Sequence, residues 1–120
     1  MGHINGIDHV QVAMPVGAEE LARSFYGDIL GLTEIEKPAV LSGRGGAWFA
    51  CGTSQIHLGA DEDFEPAKKA HPALKVSDFN VFIAALGDLG ISVNLEETVS
   101  GHLRATIHDP FGNRVELIAQ

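Results

Sequence analysis

Apolar and polar positions alternate in "IDHVQVAM", with Val10, Val12 and Met14 on one side and His9, Gln11 and Ala13 on the other, so a strand is expected there. Pro15 and Gly17 end it. "AEELARSFYGDIL" switches to helical spacing, with Leu21, Phe25 and Leu30 able to pack, Glu19 and Glu20 in the first turn, and Gly31 as a stop. "LTEIEKPAVL" reads as a strand broken at Pro38, "SGRGG" as a loop, and "AWFACGTSQIHLGA" as a hairpin turning at Gly52-Thr53. After the polar stretch "DEDFEPAKKA" the pattern restarts. "HPALKVSD" is a strand, "FNVFIAALGDLG" a helix, "ISVNLEE" a strand, and "LRATIHDPFGNRVELIA" a hairpin turning between Asp109 and Asn113.

The order is strand, helix, three strands, twice over, and the helix ends echo one another as "DILGL" and "GDLGI". Each half is too short to bury both faces of a sheet alone. The expected fold is α+β: two paired βαβββ modules forming a curved mixed sheet around a cleft. Module one covers about residues 5–60, the linker about 61–69 and module two about 70–120, all within a single domain of residues 1–120.

Alternation then sorts the side chains. A two-residue turn pairs Cys51 with Ser54 and Trp48 with His57. It puts Phe49, Cys51, Ile56 and Leu58 on a helix-covered apolar face, and Trp48, Ala50, Gln55 and His57 on the opposite one. In the second hairpin Ala105, Ile107, Val115 and Leu117 form the apolar face. Arg104, Thr106, His108, Arg114 and Glu116 lie opposite. Glu116 is the oddity, a carboxylate inside the last strand, where it is costly to bury unpaired.

Four metal-capable residues occupy matched places. His9 opens the first strand of one half and His71 that of the other, while His57 and Glu116 lie in the two last strands. The separations are 48 residues and 45 residues. Imidazole and carboxylate suit a divalent transition metal, and each would have a strand behind it. A single histidine with this placement would more often be a surface or satisfied core residue; the fourfold match is what favours a ligand set. His3, His102 and His108 have no such match and are not expected to bind metal. Cys51, on the apolar face, reads as a small hydrophobe rather than a nucleophile. "SGRGG" lacks the Lys-Ser/Thr and following helix of a phosphate loop, so it reads as a flexible loop or lid.

Bulk properties narrow the classes. The chain has 120 residues, a formal net charge of −8 and one cysteine. No basic patch suggests nucleic acid. No apolar run reaches membrane-spanning length, and "MGHINGIDHV" carries no signal-peptide core. A cytoplasmic protein without a membrane partner is the expectation.

These stretches resemble the vicinal oxygen chelate superfamily, which includes glyoxalase I, bleomycin-resistance proteins, fosfomycin-resistance transferases and extradiol dioxygenases. "DHVQVAMP", "ARSFYGDILGL", "IHLG", "HPALKVSD" and above all "HDPFGNRVELI" carry the likeness. The resemblance implies a metal in the cleft, usually in a homodimer, with His9, His57, His71 and Glu116 as ligands to one divalent ion (Zn, Ni, Co, Mn or Fe). It implies a metal-dependent glyoxalase-like isomerase or lyase that coordinates oxygens of a small substrate and stabilises an enolate or alkoxide. Glu116 would then be ligand, proton acceptor or both, and Gln11, Trp48, Gln55, Arg104 and Thr106 would line the pocket. Bacterial glyoxalase I resembles a two-His, two-Glu set with Glu where this chain has His57, and glutathione-binding cues are absent. The alternatives are a bleomycin-resistance-like protein sequestering a cationic or aromatic compound without a metal, and a dioxygenase-like or fosfomycin-transferase-like enzyme. The cationic residues that would hold a phosphonate are not recognisable.

Overall fold

The computed structural model describes residues 2–120. Its chain divides into two compact units, the first ending at Glu65 and the second spanning Pro66–Gln120. Each unit is a βαβββ module with its own four-stranded mixed sheet.

In the first unit, β1 (His9–Pro15) is followed by the short α1 (Glu19–Ala22), which widens into a π-helix over Arg23–Ile29. The spacing predicted an uninterrupted α-helix here. Instead Leu30 N–H reaches back five residues to the Phe25 carbonyl, at 2.8 Å. The successive aromatics Phe25 and Tyr26 are both buried in this wider turn. Then come β2 (Thr33–Ile35), a 3₁₀ segment (Ala39–Arg44), β3 (Ala47–Cys51) and β4 (Ser54–Asp61). Pro38 does break the strand expected over 32–41, and the chain turns helical directly after it. The loop expected at Ser42–Gly46 is in part the end of that 3₁₀ segment, so only Gly45 and Gly46 connect it to β3.

The sheet order is β1-β4-β3-β2, with β1 parallel to β4 and the other pairs antiparallel. Cys51 pairs with Ser54 and Trp48 with His57, as the two-residue turn requires. Val12, Met14, Phe49, Ile56 and Leu58 are buried with Phe25 and Tyr26 as the core of this unit. Burying each large apolar side chain contributes about 1.5–3 kcal/mol. Cys51 is half-buried at the margin of the core, and burial pushes its thiol pKa up. That is the behaviour of a small hydrophobe rather than an activated nucleophile.

The second unit repeats the plan: β5 (Ala73–Val76), α2 (Phe79–Asp88), β6 (Asn94–Val99), β7 (His102–His108) and β8 (Arg114–Ala119), in the order β5-β8-β7-β6. Again the first strand runs parallel to the last. The turn before β8 is held by its own side chains. Asp109 Oδ1 accepts the N–H groups of Phe111 and Asn113, and the buried Asn113 accepts Ala67 N–H through Oδ1. The "DPFGN" stretch is therefore a turn device. It sets the start of β8 and with it the register of Glu116.

Candidate functional site

The two sheets place their polar residues by the same rule. In the first, Gln11 lies opposite His57, and His9 is two residues before Gln11. In the second, Ala73 lies opposite Glu116, and His71 is two residues before Ala73. On the far side, Trp48 is opposite His57 and Thr106 opposite Glu116. Two sequence-predicted pairs thus occupy the same diagonal on two copies of one module. His71 differs in one respect from its expected place: it precedes β5, which starts at Ala73, instead of opening it.

His57 is 3% exposed and lies in a ring stack. The Trp48 ring is 3.7 Å away, centroid to centroid, at an interplanar angle of 4°. The His9 ring is 4.1 Å away at 13°. Trp48 on β3 and His9 on β1 approach from the two strands that flank β4, so His57 is sandwiched between them. Its Nε2 is 2.7 Å from Gln55 Oε1, an oxygen that can only accept, so Nε2 carries the proton in this arrangement. Burial, with the neighbouring His9 second, holds the His57 imidazole pKa below its ordinary value, although Asp8 works the other way. The ring is thereby kept neutral, as a metal ligand must be. His9 is half-exposed, with Nδ1 2.9 Å from Asp8 Oδ2.

In the second unit the expected pair is in contact. His71 Nε2 stands 3.2 Å from Glu116 Oε1, and His71 Nδ1 is 2.7 Å from the Lys69 carbonyl oxygen. The carbonyl accepts, so Nδ1–H donates to it. The lone pair of a neutral ring is then left on Nε2, facing a carboxylate oxygen. Two electron-pair donors converging on one space need a proton or a cation between them.

Glu116 is also clasped by Arg104. The Nε of Arg104 donates to Oε2 at 2.8 Å, and its Nη2 donates to Oε1 at 3.3 Å. The Arg104 guanidinium holds the Glu116 carboxyl below the usual range even though burial opposes this, and His71 adds to the lowering when its Nε2 carries a proton and donates. The same contact raises the Arg104 pKa. Thr106, buried beside them, donates to Glu96 Oε1 at 2.9 Å. Arg114, on the same face two residues before Glu116, has a buried Nε without a hydrogen-bond partner. His102 is bound to the Ala119 carbonyl and His108 is exposed, so both stand apart from these pairs.

Among the described residues, no three of His, Cys, Asp or Glu gather as a metal ion would require; each unit brings two together. Donors about 2.1 Å from a common ion, at close to a right angle, stand about 3.0–3.2 Å from each other. The His71–Glu116 separation meets that spacing as it stands. His71 Nδ1 on a backbone carbonyl is the usual outer support of a ligating imidazole. The His9–His57 pair does not meet it as it stands: the two rings are stacked at 13°, so their lone pairs run nearly parallel instead of converging.

Next to His57, on the same face of the first sheet, is a cavity of about 220 Å³ whose lining includes Gln11, Trp48, Gly59, Lys37 and Arg44. Gln11 and Trp48 were expected to line a pocket. Lys37, Arg44 and Gly59 were missed. The one cue was a glycine in the interior of a predicted strand, which often marks a close approach.

The chain belongs to the Glyoxalase/Bleomycin resistance protein/Dioxygenase superfamily, whose profile matches residues 6–117. It is similar over its whole length to a glyoxalase family protein from Bacillus anthracis, with 48% identity, 98% of that chain covered and a TM-score of 0.97. The fold recurs in a glyoxalase/dioxygenase from Nostoc punctiforme, with 22% identity, 99% of this chain and 93% of that one, and a TM-score of 0.81. It recurs also in a lactoylglutathione lyase from Agrobacterium tumefaciens, with 20% identity, 98% of this chain and 95% of that one, and a TM-score of 0.77. No curated protein sequence matches.

Proposed function

We propose that the chain is a metal-dependent, glyoxalase-like enzyme acting on a small oxygen-bearing substrate by isomerase or lyase chemistry. His9, His57, His71 and Glu116 are its metal donors, and the working form is a homodimer. The observation that carries this reading is the His71–Glu116 pair: a tautomer fixed by Lys69 aims a lone pair at a carboxylate oxygen 3.2 Å away. The repeat of that diagonal by His9 and His57 supports it.

A divalent ion bound there supplies Lewis-acid stabilisation of charge developing on a substrate oxygen. The residues of the chain do the rest. Trp48 and Gln55 hold His57 in one orientation, and burial keeps it unprotonated. Arg104 fixes the plane of the Glu116 carboxylate and keeps it ionised. The same positive charge makes Glu116 a weaker base, so Arg104 favours its role as a ligand over its role as a proton acceptor. Gln11, Trp48, Gln55, Arg104 and Thr106 line the substrate side.

The Arg104 clasp also supports a second reading. A carboxylate already neutralised by guanidinium has less need of a metal, as in a bleomycin-resistance-like protein that only binds a small compound. Glu116→Gln compared with the exposed control Glu62→Gln separates the two. The enzyme reading expects metal affinity to fall for Glu116→Gln alone, with turnover falling further if the carboxylate takes a proton. Indistinguishable variants would leave Glu116 as Arg104's partner and nothing more.

The proposed dimer draws on exposed apolar side chains in both units, including Ile7 at 69% and Leu95 at 71% exposure. Strand β6 is exposed at all six of its positions. Among the described residues no helix is long and apolar enough to cross a membrane. A cytoplasmic location remains part of the proposal.

A further inference from the structure

The cavity beside His57 has a charge character that the acidic chain as a whole does not suggest. Its lining brings Lys37 and Arg44 together with the amide of Gln11 and the ring of Trp48. The two cations differ in what they already hold. Lys37 Nζ donates to the Gly45 carbonyl. It also stands near Glu19, whose carboxyl pKa is lowered first by the Gly46 N–H, at 2.9 Å, and less by the charges of Arg23 and Lys37. Arg44 has no hydrogen bond or ion pair with any described residue, and neither does the Gln11 side chain. The neighbouring, larger cavity shows the contrast: there Arg23 is engaged by both oxygens of Glu34, at 2.9 and 3.0 Å.

The floor of the smaller cavity is shaped by Gly59. Its backbone lies outside the left-handed region, so conformation does not demand glycine there. A Cβ at 59 would stand 2.7 Å from Gln11 Cδ and 3.0 Å from both terminal atoms of the amide, so the flexible end of Gln11 would have to shift from its place. Omitting that one carbon lets the Gln11 amide lie against the strand beside Trp48. The donors left unpaired are thus a planar five-donor cation and an amide NH₂. Both suit a carboxylate, which accepts bidentate bonds from arginine. The volume of about 220 Å³ admits a small molecule.

We infer that this cavity is an anion subsite that takes the carboxylate of a small organic acid, held by Arg44 and Gln11 with its oxygen-bearing carbons directed along Trp48 toward His57. The inference rests on the enzyme reading only in naming that acid as the substrate. The subsite lies within the first unit and uses no metal donor as an anion partner. It runs against the cationic ligand that the net charge of −8 invites, because the unpaired charge at the cavity is positive.

Trp48 is the chain's single tryptophan, so its fluorescence reports on this cavity and on the stacked His57, which is why the first titration is run without metal. EDTA-treated protein is titrated with sodium lactate and, at matched ionic strength, with the neutral lactamide. A saturable change with lactate and none with lactamide is expected. Arg44→Gln, at an exposed side chain without partners, should weaken lactate at least about tenfold, the weight of one charge-assisted hydrogen bond. Equal response to lactamide, or an unchanged lactate response in Arg44→Gln, overturns the subsite. Repeating the titration with added zinc separates this idea from the metal reading. Lactate binding that needs zinc and ignores Arg44 refutes the subsite and leaves the metal centre standing. Binding that needs Arg44 in protein unable to take up metal supports the subsite and refutes the centre.

Discussion

Gly46 is where the segment bordering the cavity re-enters the first sheet, and Gly46→Ala should be among the most damaging single-methyl additions in the chain. Its φ is +90°, and a Cβ there would stand 2.0 Å from the Leu58 carbonyl oxygen and 3.2 Å from its carbon. Carbon–oxygen contacts close at about 3.3 Å, so backbone has to move by more than about 1 Å. The obstacle is the main chain of β4, which cannot swing aside as a side chain would. Left-handed strain costs about 1–2 kcal/mol and forced overpacking about 1–3 kcal/mol more, for a total of about 2–5 kcal/mol. Displacing Gly46 also lengthens its bond to Glu19. Gly52→Ala is the control: its φ is +58° and nothing lies within 4 Å, so strain acts there alone. Urea unfolding followed by far-UV circular dichroism measures both. With a slope of about 2 kcal/mol per molar, the midpoint should fall by about 1–2.5 M for Gly46→Ala and by less, at most about 1 M, for Gly52→Ala. Equal midpoints would refute the steric argument and the tight strand entry on which the cavity wall depends.

Two further outcomes follow from the site. Because the His57 pKa is lowered in the fold, the native state takes up its proton later than the unfolded chain does. Stability is therefore fully present above about pH 6.5 and is lost as pH falls from there through the folded pKa. In EDTA-treated protein the urea midpoint should fall between about pH 8 and about pH 5 more steeply for wild type than for His57→Gln, and matching slopes would mean that the ring titrates normally. Sedimentation equilibrium at micromolar concentration should return twice the chain mass of 12.7 kDa; monomer alone would remove the proposed dimer.

How far the sequence discloses this molecule depends on whether the information is local. The hairpin turns at Gly52-Thr53 and Asp109–Asn113 are written in short-range chemistry, and alternation carries their register outward to Trp48, His57 and Glu116. The duplication then matches His71 to His9 without any side-chain detail. The π-helix is hidden because Phe25 and Tyr26 settle its geometry by packing against a core made later in the chain. The Arg104–Glu116 clasp is hidden for a related reason. Arg104 lies opposite Ile118, and only the reach of a long side chain across the diagonal brings its guanidinium to the carboxylate. The same holds for Arg44, whose place at the cavity depends on a 3₁₀ segment that a proline-broken strand pattern does not announce. Glu116 thus has a partner that its strand pattern alone could not reveal, and that partner is part of the site.

Whether His9, His57, His71 and Glu116 hold an ion is decided by the metal content of untagged protein, by plasma mass spectrometry after dialysis against zinc, nickel, cobalt, manganese and iron in turn. One divalent ion per chain is expected for at least one of these metals, with loss of that ion in both His9→Ala and His71→Ala and the fold retained by circular dichroism. Wild-type protein without stoichiometric metal under every condition, or an ion that survives both substitutions, would contradict that expectation.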